Sequence, residues 1–242
     1  QNDGRGVGLM RSEFLFLASD TLPDEETQYR AYRSVAEAMP GRRVVIRTMD
    51  VGADKQSAAL KMTAEENPAL GMRGVRVSLA QPELFRVQLR ALYRASAHGR
   101  IAIMFPMIAS VWEVQQCKRL CREVMADLTA RGIPHNSGTE LGVMIETPAS
   151  VLLAPELAEE VDFFSVGTND LTQYTLAVDR QNAKLDKFYD PYHPALMALL
   201  AHIAKSANEA GIWAGICGEL GADPKMTEKF IEMGYTELSM AA

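Results

Sequence analysis

Short apolar runs recur along the chain, separated by longer stretches in which apolar residues return every three or four positions. The runs are VGLMR (7–11), VVIRTMD (44–50), IAIMFPM (101–107), LGVMIET (141–147), FFSVG (163–167), AGICGE (214–219) and ELSMA (237–241). They are almost continuously apolar and do not alternate, which is the pattern of strands buried on both faces. The stretches between them predict helices over 24–39, 82–99, 110–132, 152–161, 194–211 and 223–234. Acidic residues beside Pro23 make a good helix entrance, and Gly99, Gly132, Gly211 and Gly234 stand where helices should stop. Within 82–99, Leu84, Val87 and Leu92 predict an apolar side, and Arg86, Arg90 and Arg94 a solvated basic one.

Strict alternation of strand and helix implies right-handed βαβ units around a parallel sheet. The fold class is therefore α/β, with a (β/α)8 TIM-type barrel as the leading architecture. Such a barrel takes about 250 residues, and the chain has 242. A doubly wound open sheet is the alternative, but the clustered glycines of GRGVGLMR precede a strand instead of following one, so the dinucleotide-binding pattern is absent. Seven strand runs stand where a barrel has eight. The expectation is one barrel domain over 1–242, incomplete, with the first strand and the last helix outside the chain.

Composition narrows the partners. Hydrophobic residues make up 48% and charged residues 23%, and the net charge is −6. An acidic balance with no basic block argues against nucleic acid or anionic membrane as a partner. No stretch approaches the roughly 20 apolar residues of a membrane span. Three cysteines, Cys117, Cys121 and Cys217, make no disulfide framework and suit a reducing cytoplasm. Cys117 and Cys121 share one face of a predicted helix with no further ligand nearby, so they read as a half-buried helix face and not as a zinc site.

Chemistry collects where the predicted strands end. Those ends carry Arg11, then Arg47 and Asp50, then Glu146, then Asn169 and Asp170, then Cys217 and Glu219, and the strand starts carry nothing comparable. The carboxyl ends of parallel strands are where a barrel builds its active site. Glu146 and Asp170 end strands expected to be neighbours, about 4.8 Å apart. Two converging carboxylates without His or Cys ligands favour a hard cation, Mg2+ first and Mn2+ as the alternative. Arg11, Arg47 and, from the following loop, Arg180 are forks suited to phosphate or carboxylate. The expected ligand is small and multiply anionic.

Seven stretches, GVGLMRSEFLF, VIRTMDVGADK, ENPALGMRGVR, MFPMI, GVMIETPAS, VDFFSVGTNDLTQYTLAVDR and GICGELGAD, together resemble the C-terminal, phosphoenolpyruvate-binding barrel domain of Enzyme I of the bacterial sugar phosphotransferase system. The resemblance covers nearly the whole chain. It implies that Glu146 and Asp170 are Mg2+ ligands, that Arg11 and Arg47 grip the phosphoryl group, and that Asn169 and Asp170 contact phosphoenolpyruvate. It further implies that Arg180 lies near the substrate carboxylate and that Cys217 donates a proton to the enolpyruvate carbon. Arg73 and Lys55 are implied to face the site, and Ala53 stands where those enzymes usually have a glycine. The family passes the phosphoryl group to a histidine on a separate N-terminal domain, absent from this chain, and then to a histidine phosphocarrier protein. None of His98, His135, His193 and His202 is marked as an acceptor, so the chain alone is expected not to complete transfer. A cytoplasmic homodimer is implied. The nitrogen-regulatory paralogue, the barrels of phosphoenolpyruvate synthase and pyruvate phosphate dikinase, and, more remotely, a Mg2+-dependent acyl-CoA lyase are the alternatives. A barrel serving only as a dimerisation surface would leave the charged strand ends unexplained.

Overall fold

The apolar runs become parallel strands in the computed structural model, which describes residues 4–17, 20–52, 60 and 65–240. In chain order come β1 (Val7–Arg11), α1 (Glu13–Leu17), α2 (Glu25–Ala38), β2 (Val44–Arg47), α3 (Val75–Ala80), α4 (Pro82–Ser96), β3 (Ile101–Phe105) and α5 (Val111–Ala130). They are followed by β4 (Glu140–Ile145), α6 (Pro148–Leu152), α7 (Ala154–Ala158), β5 (Phe163–Gly167), α8 (Thr168–Leu176), α9 (Pro194–Ala210), β6 (Trp213–Cys217), α10 (Pro224–Met233) and β7 (Glu237–Ser239). The seven strands follow chain order in one sheet. This is the helix-covered, parallel α/β class of a TIM-type barrel. No described helix is long and apolar enough to cross a membrane.

The chain divides into two compact units, residues 3–107 with 115–141, and residues 108–114 with 142–242. In the first, β1 pairs with β2 and β2 with β3, in register Arg11 to Arg47 to Met104. Every residue of β2 and β3 is buried, as their continuous apolar runs require. β2 stops at Arg47, earlier than its apolar run suggests. Thr48 N–H still donates to Met104 O at 2.9 Å, but Met49 N–H turns away to the Gln88 side chain at 3.0 Å. β3 likewise ends at Phe105, because Pro106 has no N–H to continue a ladder.

Helices α2 and α4 cover this unit. Asp24 caps α2, its carboxylate accepting from Thr27 N–H at 2.7 Å. The buried side of α4 is Phe85, Gln88, Leu89 and Leu92, with Leu84 packed instead against the cluster around Phe16 and Met49. Arg86, Arg90 and Arg94 are not a solvated face. Arg90 and Arg94 bind Glu25 of α2 at 2.8 and 2.6 Å, Arg94 reaches Glu26 at 2.8 Å, and Arg86 bonds Glu123 of α5 at 2.7 Å. Arg86 also pairs with Glu83 of its own helix at 2.5 Å, but the other acidic partners come from other helices, which the pattern within one helix cannot show.

In the second unit β5 pairs with β4 and β6, and β6 with β7, all parallel. Phe163 stacks on Trp213 with ring centroids 4.3 Å apart. Gly142 admits the Phe163 ring, since a Cβ there would stand 2.4 Å from it. The turn chemistry of Gly-Thr-Asn-Asp opens a helix, α8, directly from the end of β5. Thr172 Oγ1 donates back to Thr168 O at 2.7 Å, and Ala177 closes the helix in the left-handed region with φ 53°.

Candidate functional site

In the first unit the ends of β1 and β2 set two arginines side by side. Arg11 and Arg47 are partners in the parallel register, but their surroundings differ. Arg47 is buried between two acids, with Glu13 Oε1 at 2.5 Å and Asp50 Oδ2 at 3.0 Å. Arg73, also buried, approaches both Asp50 carboxylate oxygens at 3.4 Å. This network balances two guanidinium groups against two carboxylates, which lowers the cost of burying any one of them and fixes the plane of the Arg47 fork. Arg11 is exposed and has no ion pair among the described residues, so it adds uncompensated positive charge next to a preset one. Gly74, at φ +55°, lets the chain pass close to this network: a Cβ there would lie 2.9 Å from Met107 and 3.2 Å from Asp50 Oδ1.

In the second unit the row at the strand ends runs Gly167 to Cys217 to Ser239 in register. Glu146 follows β4 and is fully buried. Its carboxylate lies against Gly167, where a Cβ would stand 2.7 Å from Oε2 and 3.0 Å from the Glu146 Cβ. Asp170 sits in the first turn of α8, where the helix dipole favours negative charge. Arg180 Nη2 lies 3.9 Å from Asp170 Oδ2, and its backbone N–H donates to Gln173 Oε1 at 3.1 Å. Tyr189 OH donates to Asn169 O at 3.3 Å. Burial raises the Tyr189 hydroxyl above its ordinary value, with Arg180 opposing. Cys217 is buried at the end of β6, and its carbonyl accepts from Thr168 Oγ1 at 3.2 Å. Gly218, at φ +113°, then turns the chain past Thr168 and Asn169, where a Cβ would meet Thr168 Oγ1 at 2.7 Å. Glu219 falls in the short 3-10 turn beyond and is exposed, not on the strand.

Within the second unit, then, Glu146, Asn169, Asp170 and Cys217 lie at or just after strand ends, while Arg180 comes from the loop after α8. Glu13, Tyr189, Gly74 and Gly218 went unnoticed in sequence. Glu13 alone left a signal, an acid two residues after Arg11. Lys55 and Ala53 lie outside the described residues. His193 caps α9, its Nδ1 accepting from Ala195 N–H at 3.2 Å. His98 contacts Tyr29 at 2.8 Å, and His135 lies 3.0 Å from Ile133 O. Cys117 and Cys121 are fully buried, deeper than a half-buried face, and burial pushes the Cys121 thiol up to about 12.

Among the described residues no cluster of three or more His, Cys, Asp and Glu side chains is arranged to hold a metal. Glu146 and Asp170, just after β4 and β5, are both oxygen donors. That fits a hard cation that takes one or two carboxylates and leaves its other positions to water and phosphate. Gly167 keeps any side chain off Glu146 Oε2, where a Cβ would stand 2.7 Å away.

Residues 1–242 match the family of the PEP-binding domain of PEP-utilising enzymes. The chain belongs to that family. The phosphoenolpyruvate-protein phosphotransferase of Haemophilus influenzae is 47% identical over 242 residues, covering 100% of this chain and 42% of its own length. That of Staphylococcus epidermidis is 45% identical over 241 residues, with the same coverage. The chain thus spans less than half the length of these relatives. Among solved structures, an aldolase/citrate lyase family protein from Burkholderia cenocepacia superposes with TM-score 0.57 at 16% identity, over 96% of this chain and 77% of that one. A likeness at that identity speaks for the fold of this PEP-binding domain and for nothing more.

Proposed function

We propose that this domain binds phosphoenolpyruvate with Mg2+ and supports transfer of the phosphoryl group to a histidine on a separate N-terminal domain. Pyruvate is released, and the transfer opens a bacterial sugar-uptake relay in which a histidine phosphocarrier protein is the next acceptor. The observation that carries this reading is the chain-long identity to enzymes named for that reaction, 47% and 45% over essentially every residue. The charged strand ends support it: arginines as the last residues of β1 and β2, carboxylates after β4 and β5.

In this reading Arg11 and Arg47 hold phosphoryl oxygens. Glu13 and Asp50 keep the Arg47 fork oriented, so little reorganisation is needed when the anion arrives. Arg180 takes the substrate carboxylate, and Asn169 makes a further polar contact. Glu146 and Asp170 hold Mg2+, which when bound supplies charge neutralisation for phosphoryl transfer. The bond from phosphorus to the enolpyruvate oxygen breaks as phosphorus bonds the acceptor histidine nitrogen. The Cys217 thiol gives its proton to the methylene carbon, yielding pyruvate, and the thiolate is reprotonated from solvent. The working form is a cytoplasmic homodimer.

Titration calorimetry tests the reading. Phosphoenolpyruvate should bind in the presence of Mg2+ and weakly or not at all without it, and Glu146→Ala should abolish the metal dependence. Equal binding with and without Mg2+ would overturn the metal assignment, and unaltered metal-dependent binding by the variant would remove Glu146 from the site.

A further inference from the structure

Gln88 lies mid-way along α4 on its buried side and has no place among the residues assigned above. A buried amide is expensive to keep unless its carbonyl and its N–H groups are bonded. Every polar atom of this one is engaged. Oε1 accepts from Met49 N–H at 3.0 Å, and Nε2 donates to Ser12 Oγ and Tyr32 OH, each at 3.0 Å. Met49 N–H can only donate, which settles the orientation of the amide. The chain of bonds continues outward: Tyr32 OH donates to Gln28 Oε1 at 3.1 Å, and Gln28 Nε2 donates to Pro23 O at 3.0 Å. Burial pushes the Tyr32 hydroxyl far above its ordinary value, so it stays protonated and can accept from Gln88 while donating to Gln28.

The two segments that Gln88 holds matter for their neighbours in sequence. Ser12 directly follows Arg11, and Met49 lies between Arg47 and Asp50. Arg11 and Arg47 are themselves register partners on β1 and β2. One side chain from α4 therefore ties down both strand exits that carry the arginine pair, and it is also the contact that turns the backbone out of the β2 ladder. A leucine or methionine would fill the same volume but would orphan Met49 N–H and remove one bond each from the Ser12 and Tyr32 hydroxyls. We infer that Gln88 is a positioning residue, one that sets the separation and direction of Arg11 and Arg47 for a phosphoryl group without touching it. The inference rests on the proposed phosphoenolpyruvate reading.

The test compares variants of this chain by phosphoenolpyruvate–Mg2+ calorimetry and thermal melting. Gln88→Leu should weaken binding by about tenfold or more, and Ser12→Ala, which removes one arm of the brace, by a smaller factor in the same direction. Leu89→Ala is the control: it opens a cavity at a fully buried neighbour on the same helix and should lower the melting temperature at least as much while leaving affinity within about twofold. If affinity loss simply tracked stability loss across the three, a positioning role would be excluded. Arg47→Ala separates the two levels. If it abolishes binding while Gln88→Leu and Ser12→Ala bind as the parent does, only the positioning role falls. If Arg47→Ala also binds normally, Arg47 leaves the site and the positioning role falls with it; if the parent itself binds no phosphoenolpyruvate with Mg2+, the phosphoenolpyruvate reading falls.

Discussion

One absent Cβ shapes the surroundings of Glu146. Gly167 has ordinary backbone angles, so conformational freedom is not its purpose; space is. An alanine would place its methyl 2.7 Å from Glu146 Oε2, 3.0 Å from its Cβ and 3.2 Å from Met144 Cγ. A carboxylate on the surface would swing aside, but Glu146 is fully buried and has little room to do so. Gly167→Ala should therefore destabilise by about 1–3 kcal/mol, the usual range for overpacking. It should also weaken metal-dependent phosphoenolpyruvate binding more than its effect on stability accounts for. Calorimetry checks this directly, and wild-type affinity in a folded Gly167→Ala protein would show that Glu146 can move without consequence for binding.

At the level of elements, the seam between α2 and α4 is ionic as well as apolar. Tyr32 and Ala36 bury one side of α2, while Glu25 and Glu26 reach across to Arg90 and Arg94. The Arg94 guanidinium also lies over the Tyr29 ring, 4.1 Å from its centroid. Burial alone would raise the Glu25 carboxyl, but hydrogen bonds from Arg90 and Arg94 outweigh it and hold it below its ordinary 4.5. A carboxylate whose pKa is lower in the folded state adds stability that is complete above its unfolded value. That stability drains away as pH falls through the folded one. Glu25→Gln should thus lower the melting temperature near neutral pH, and the gap to wild type should shrink steadily below about pH 4.5. Melts across that interval decide the matter. A gap as wide at the acid end as at neutrality would mean that Glu25 contributes packing and not charge.

For the whole molecule, ligand binding should appear as stability. A ligand at a hundred times its dissociation constant stabilises by about 2.7 kcal/mol. For a chain of this size each kcal/mol moves the melting temperature by roughly 2–4 °C. Phosphoenolpyruvate with Mg2+ should then raise the melting temperature by roughly 5–11 °C, while either alone gives a small fraction of that. Differential scanning fluorimetry reads the outcome, and an equal shift with phosphoenolpyruvate alone would argue that the carboxylates of Glu146 and Asp170 bind no metal that the ligand needs.

The sequence by itself determined the alternation of strands and helices, the parallel character of the sheet and the clustering of charge at strand ends. Those features are local: a strand buried on both faces must be apolar throughout, and Arg11, Glu146 and Cys217 declare themselves by standing where an apolar run breaks. It left open whether Gly-Thr-Asn-Asp makes a turn or caps a helix, because the same four residues suit both; in the structure they open α8. Nor did it reveal that β2 ends at Arg47, or that the arginine row of α4 is spoken for. Those outcomes depend on groups far along the chain. Glu13 meets Arg47 across 34 positions, and Gln88 meets Ser12 across 76. Periodicity records which side of its own element a residue occupies. It carries no record of the donor or acceptor that another element brings to that side, and a buried amide, carboxylate or guanidinium takes its role from that partner.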